Sequence, residues 1–382
     1  MLNALYSAGI YIVPFVLVLT IVVFFHELGH FIVGRLCGIR VDAFSIGFGP
    51  ELFAFMDRKG TRWRIAALPL GGYVKFHGDA NGASMADDAA ISGMPESERA
   101  VTFAAQPIWK RAATVAAGPI ANFILAIVVL TGVFWVNGRD ILIPRVNGVV
   151  HGSAADVAGF RAGDLVLEID GQPVKSFLDL QRIVTASPDQ PLSFLVDRNG
   201  QNIQIAATPR LQEVKTPIGK SRVGQLGIEA GGRREDWRTE RYGVVDSVRL
   251  AVGETWGVVS QTAGYLGKLA IGRESSDQLS GPAGLAQVSG EMAKLGLAAV
   301  LNLLAILSVS IGLLNLAPVP LLDGGHLLFY LIEAVQGRAL NERAQEIGFR
   351  IGIAVVGGLM VVATYNDIAR LAPSFLKWIL HG

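Results

Sequence analysis

The sequence predicts a polytopic α-helical membrane protein of about four transmembrane helices, with a β-hairpin and one small α+β domain attached. Half of the 382 residues are hydrophobic (51%) and only 17% are charged. Mean hydropathy is positive, unlike the balance of a soluble enzyme. A helix needs about 20 predominantly apolar residues to cross a bilayer. Three uncharged runs reach that length, at 1–25, 112–138 and 296–322. A fourth, 351–366, is shorter and is flanked by Arg350 and Asp367. The net charge of +1 favours no particular charged partner and no nucleic acid. One cysteine, Cys37, excludes an internal disulfide and a cysteine-based metal cage.

The first run has no basic n-region and no small-residue cleavage site, so it reads as a retained helix rather than a signal peptide. It ends at "FFHELGHF", residues 24–31. Residues 41–77 then turn to strand patterning: "FSIGFGPELFAF" and "RWRIAALPLGGYVKF" flank the polar turn "MDRKGT", which predicts a hairpin. Residues 78–100, "GDANGASMADDAAISGMPESERA", are small, polar and acidic without periodicity and read as a mobile loop. The second run carries Asn122 inside "AGPIANFILA". From 141 to 209, short strands alternate with a helix around turns at Gly163, Asp164 and Gly171. From 244 to 272, small and apolar residues recur among Arg249, Glu254 and Lys268, as in a helix lying along a membrane surface. The domains read from this pattern are 1–140, 141–210, 211–295 (a linker and the surface helix) and 296–382.

Orientation follows from lysine and arginine in the shorter loops. Residues 31–107 carry eight of them, and the N-terminal run has none. That loop is therefore expected in the cytoplasm, both termini on the opposite side, and the long segment between the second and third runs outside.

The chemistry starts at "HELGH". The spacing of His26 and His30 places both imidazoles on one helix face, one turn apart. Two such histidines can hold one zinc ion while the glutamate between them, Glu27, acts on its water as general base. Structural histidines in an apolar run would not need Glu27, whose unpaired charge would cost several kcal/mol there. A catalytic zinc needs a third protein ligand and an open position. The third run offers Asp323 in "LLNLAPVPLLDGGH", 313–326. Pro318 and Pro320 remove helix hydrogen bonds just before it, so irregular backbone is expected at membrane depth. His326 is a rival ligand, and a helix N-cap is the structural alternative for Asp323. Asn122 and Asn315 occupy otherwise apolar spans. Each is read either as a tie between helices or as a donor to a developing oxyanion.

Together "HELGH", "NLAPVPLLDGG", "GPIANF", "SIGFGP…LPLGGYVKFHGD", "LSGPAGLA" and "ERAQEIGFRIG" resemble the site-2 proteases, zinc metalloproteases that cut within membrane-spanning helices. The resemblance covers nearly the whole chain. It implies His26, His30 and Asp323 as zinc ligands, Glu27 as catalytic base, and Asn122 and Asn315 near substrate or oxyanion. It also implies a hairpin that dips into the membrane beside the metal, where its edge could hold an unwound substrate by strand addition. The "AGFRAGDLVLEIDGQPV" core resembles a bacterial PDZ domain, here a single periplasmic one, filtering substrates by size. The function implied is regulated intramembrane proteolysis in the bacterial inner membrane, with the site toward the cytoplasm and both termini periplasmic. Its substrates would be single-pass membrane proteins such as anti-sigma factors, or remnant signal peptides. The rivals are a non-catalytic PDZ scaffold with structural zinc, which would need four protein ligands, and a metal transporter, which would need ionisable residues along all spans.

Overall fold

The apolar runs become helices, but their ends differ from those the charges mark. The computed structural model describes residues 2–79, 88–216, 219–272, 276, 279–338 and 340–381. Contacts divide the chain into unit one, Met1–Val133 with Val244–Gly382, and unit two, Phe134–Gly243.

Unit one opens with α1 (Leu2–Leu36). The helix does not stop at Phe25. It continues ten residues past His26, or about 15 Å at the helical rise, so HELGH lies within the body of the span rather than at its end. Nothing between Phe25 and Leu36 breaks a helix. Termination comes at Gly38, whose left-handed φ of 83° turns the chain.

The hairpin follows as β1 (Val41–Met56) and β2 (Arg62–Phe76). It has more structure than one turn. Gly47 and Gly49, at φ 88° and 86°, let β1 bend back. Residues 53–56 pair with 62–65 across the expected turn, whereas Ala43–Ile46 pair on one side with Gly72–Lys75 and on the other with Arg62–Ile65. Each strand thus contributes two rows to one small sheet, with residues 72–76 along one margin. Phe44, fully enclosed, stacks on Trp63 at 4.3 Å between ring centroids.

Of the loop expected at 78–100, residues 80–87 lie outside the described residues. The remainder contains two short helices, α2 (Asp88–Ser92) and α3 (Glu96–Arg99). The second span is α4 (Ile108–Asn137).

Unit two holds a four-stranded sheet in the order β6-β5-β7-β8. Its strands are β5 (Leu165–Ile169), β6 (Gln172–Pro173), β7 (Leu192–Arg198) and β8 (Gln201–Ala207), preceded by β3 (Arg139–Leu142) and β4 (Val146–Val149). Helices α5 (Ala154–Ala158) and α6 (Phe177–Ala186) are both capped by serine, at Ser153 and Ser176. Val146, Phe160, Val166, Phe194 and Val196 form its core. The unit outruns the expected boundary at 210. A hairpin, β9 (Arg210–Thr216) and β10 (Gly219–Gln225), leads to β11 (Ile228–Ala230) and β12 (Trp237–Glu240), which pair back on β4 and β3. Residues 211–243 are therefore no linker. Strands this short and polar carry too little alternation to be read from sequence.

Unit one resumes with α7 (Val244–Ala270), the long helix expected, which packs on α9 (Leu297–Asn315). Between them α8 (Pro282–Leu295), placed in the linker by the sequence reading, is a helix packed on α1. Its N-terminus is held by the buried Asp367 carboxylate, which accepts from the Gly281 and Gly284 amides at 3.1 and 2.9 Å. The third span stops at Asn315, not Leu322, and after the two prolines α10 (Asp323–Gln336) begins. The chain ends in α11 (Glu342–His381). Among the described residues, four helices are long and apolar enough to cross a membrane: Gly9–Leu36, Ile108–Asn137, Leu297–Asn315 and Arg343–Arg370.

Candidate metal centre

The i, i+4 spacing on α1 brings His26 Nε2 and His30 Nε2 within 3.2 Å of each other. The proline break lets the chain leave α9 and restart with Asp323 as the first residue of α10. Leu322, not Asp323, is the N-cap. Asp323 Oδ2 lies 3.1 Å from His26 Nε2 and 3.6 Å from His30 Nε2. Gly324 permits this close return, since a Cβ there would stand 2.3 Å from the carbonyl oxygens of Leu316 and Ala317. Among the described residues this is the one cluster of three metal-binding side chains.

The triad fits zinc by its edges. Ligand atoms roughly 2.0–2.1 Å from a tetrahedral ion stand about 3.4 Å apart, and the three observed separations bracket that value. The donors also match: two imidazoles and a carboxylate, three protein ligands with a fourth position left over.

The outer nitrogens are set by partners on α4. His30 Nδ1 donates to the Thr114 carbonyl oxygen at 2.9 Å, which fixes the tautomer that frees Nε2. His26 Nδ1 faces the Asn122 side-chain amide at 3.3 Å. As placed, Asn122 Oδ1 is buried without a partner; turning the amide over lets His26 Nδ1–H donate to it and satisfies both groups. Asn315 Nδ2 lies 3.4 Å from His26 Nε2, on the ligand side of the ring. Both asparagines expected near the chemistry are thus brought to His26. The sequence reading missed Thr114, which acts through a backbone carbonyl and leaves no side-chain signal. It also missed Gly118, where a Cβ would stand 2.2 Å from His30 Nε2. A glycine inside the apolar α4 was the available cue for that close approach.

A cavity of about 150 Å³ adjoins the triad, lined by His26, Glu27, His30 and Asp323, by His326, and by apolar side chains including Val74, Phe76 and Phe349. Glu27 lies against the sheet margin, where a Cβ on Gly72 would stand 3.1 Å from its Cγ. His326 is outside the ligand cluster but shares the cavity. Further along α10, Tyr330 enters the core formed by Phe31, Phe44, Phe76 and Val115. Glu333 pairs with Arg111 of α4 at 2.7 Å. These contacts hold the helix whose first residue completes the triad.

Comparison with known proteins agrees with this chemistry. The model of peptidase family M50 matches residues 14–359. A protein of Agrobacterium fabrum named for zinc metalloprotease activity is 51% identical over 362 residues, covering 94% of this chain and 96% of its own. The metalloprotease MmpA of Caulobacter vibrioides is 40% identical, covering 94% and 96%. Among solved structures, the PDZ domain of an SdrC-like protein from Listeria monocytogenes aligns with 22% of this chain and 84% of its own. Its identity is 21% and its TM-score 0.18, too slight a likeness to establish the fold of unit two. With the family match spanning most of its length and relatives this similar, the chain belongs to peptidase family M50, the site-2 proteases, and is a multi-pass membrane protein and a zinc metalloprotease.

Proposed function

We propose that this metalloprotease hydrolyses peptide bonds within or beside the transmembrane segment of single-pass membrane proteins. The observation that carries the proposal is the position of the triad: His26 and His30 lie in the body of a helix apolar enough to cross a membrane. His26, His30 and Asp323 would hold the ion. Zinc bound there supplies a Lewis acid that polarises a carbonyl and lowers the pKa of water. Glu27, between the two histidines and facing the same cavity, takes the proton of the attacking water and delivers it to the leaving amine. Asn122 orients His26, and Asn315 stands beside the ligand nitrogen of that ring. The margin formed by residues 72–76 supports extended binding. Val74 and Phe76 line the cavity, and a substrate laid along them is stripped of the helical turns that shield its peptide bonds.

The remaining parts follow the same reading. The protein resides in a bacterial inner membrane with both termini in the periplasm and the metal toward the cytoplasmic side. Unit two is a periplasmic PDZ-type domain that screens substrates by size, α7 lies along the outer membrane surface, and the substrates are pre-trimmed proteins such as anti-sigma factors. The test is a purified full-length protein with a model transmembrane substrate, with and without a zinc chelator. Glu27→Gln should abolish cleavage with zinc content unchanged; cleavage at the normal rate by that variant refutes the catalytic assignment. Reporter fusions after Gly60 and Asn341 should register cytoplasm, and one after Gly200 periplasm.

A further inference from the structure

Among the described residues, five polar side chains line the cavity beside the triad: His26, Glu27, His30, Asp323 and His326. Three are the metal-binding set and Glu27 is placed as base, which leaves His326 without a task. It sits one helical turn after Asp323 on α10, so the two share a face. Its ring is packed by aromatic groups, with Phe349 at 5.6 Å and Phe329 and Tyr330 at 6.5 Å between centroids. Among the described residues, neither ring nitrogen has a hydrogen-bonding partner. The residue is half-buried, and its nitrogens are not among the enclosed unsatisfied side-chain atoms. With one flank against aromatic rings and a place in the cavity wall, the ring presents its N–H to whatever enters the cavity.

The asparagines stand apart from the cavity. Asn122 supports the outer nitrogen of His26 and Asn315 lies beside its ligand nitrogen, and neither is among the described residues that line the cavity. A fourth-ligand role is disfavoured by position, since His326 falls outside the cluster in which the three ligand atoms approach one another within 4.8 Å.

We propose that His326 is a further catalytic residue, whose imidazole N–H donates a hydrogen bond to the scissile carbonyl oxygen as that oxygen gains negative charge. The proposal rests on the hydrolytic reading of the site given above. In the reaction, the water oxygen bonds to the carbonyl carbon and the C–N bond breaks. The water proton travels through Glu27 to the departing nitrogen. His326 keeps its proton throughout. It serves as a neutral ring and acts only on the charge that develops, so its contribution appears in turnover rather than in substrate binding.

The test uses the full chain loaded with zinc and a model transmembrane substrate. His326→Phe keeps the ring and its packing but removes the donor. It should retain wild-type zinc content and a KM within about threefold, while kcat falls about 100- to 1000-fold, the usual consequence of removing one oxyanion donor. Binding of a phosphinic peptide, whose tetrahedral oxygens mimic the charged state, should weaken in His326→Phe while binding of the matching uncleaved peptide does not. His326→Gln, which restores an N–H, should recover at least about tenfold in kcat over the Phe variant. Should His326→Phe fail to fold, His326→Ala with added imidazole gives the same information through saturable rescue of turnover. Loss of zinc from the variants makes His326 a ligand and overturns the proposal, and so does unchanged kcat in His326→Phe. A wild-type protein without zinc-dependent cleavage defeats the hydrolytic reading itself, a result separable from normal cleavage by every His326 variant.

Discussion

In unit two, Val146, Val166, Phe194 and Val196 are fully enclosed, and most of its charges face outward. Along the spans of unit one, apolar side chains also face outward and polar ones are enclosed. Ile351, Ile353, Leu359 and Val361 of α11 are exposed, while His26, His30, Asn122, Asn366 and Asp367 are buried. The difference is one of solvent. Unit two hides apolar surface from water. The spans meet lipid tails that are as apolar as leucine, so enclosed apolar groups such as Val18, Val22 and Leu304 gain packing alone, whereas polar groups also escape hydrocarbon. A metal triad inside such helices is therefore continuous with the way unit one folds, whereas unit two would have to desolvate the same residues against its hydrophobic driving force.

Asp323→Ala tests the interior of unit one and should have the largest effect. With two ligands left, zinc content should fall to background and cleavage should vanish, while the protein still inserts and unit two melts unchanged. Zinc retained by this variant would break the triad assignment. Gly118→Ala should act next most strongly, because its Cβ would stand 2.2 Å from His30 Nε2. Displacing the ring should weaken zinc affinity by about 10- to 100-fold, the range for disturbed ligand support, as read by chelator competition.

Unit two supplies the contrasting case. Asp164 is fully buried and paired with Arg198 at 2.7 Å. Burial works to raise the Asp164 pKa, but the Arg198 guanidinium and the Arg161 amide outweigh it and hold the carboxyl below its usual value. Arg198→Ala leaves that carboxylate uncompensated and should cost unit two about 3 kcal/mol, with zinc content untouched. Because the folded pKa is depressed, the stabilisation is complete above the ordinary carboxylate range. It is lost as pH falls, so the gap between variant and wild type should narrow from pH 7 to pH 3. A gap independent of pH would mean that packing, not charge, is what Arg198 provides.

Asp79 behaves in the opposite sense. Burial first, then the neighbouring Asp42 charge, outweigh the Phe76 amide and the Lys75 charge and push its pKa up to about 8. A raised folded pKa contributes stability below the unfolded value, and that contribution is lost as pH rises toward 8. Asp79→Asn should therefore raise the melting temperature by about 2–4 °C at pH 9 and change little at pH 4. Equal effects at both pH values would remove burial as the cause. The smallest effect is expected at Arg350, whose pair with Glu346 is solvent-exposed. Arg350→Ala should change stability by less than about 0.5 kcal/mol by thermal melting.

Much of this was legible in the residues. Uncharged length marked the spans, helical spacing put His26 and His30 on one face, and Pro318 and Pro320 signalled the break before Asp323. The turn at residues 57–61 was readable because glycine and polar residues punctuate two strand-like runs. The bend at Gly47 and Gly49, which folds the hairpin into a sheet with a margin beside Glu27, was not, since "GFGPELF" reads equally well as continuous strand. Helix α8 was likewise hidden. Its place against α1 depends on Tyr11 lying over Gly290, some 280 residues away in the chain.

The sequence by itself determined which atoms could bind a metal and that they belong in a membrane, because residue type, apolar length and helical period are local properties. Only the tertiary structure decided the rest. It extended α1 beyond HELGH, joined Asp323 to the histidines, and turned Thr114 and Asn122 toward their outer nitrogens. It also left His326 facing the cavity without a hydrogen-bonding partner among the described residues. Those outcomes depend on where backbones approach and which amides find partners across helices, and packing over nearly three hundred residues sets them.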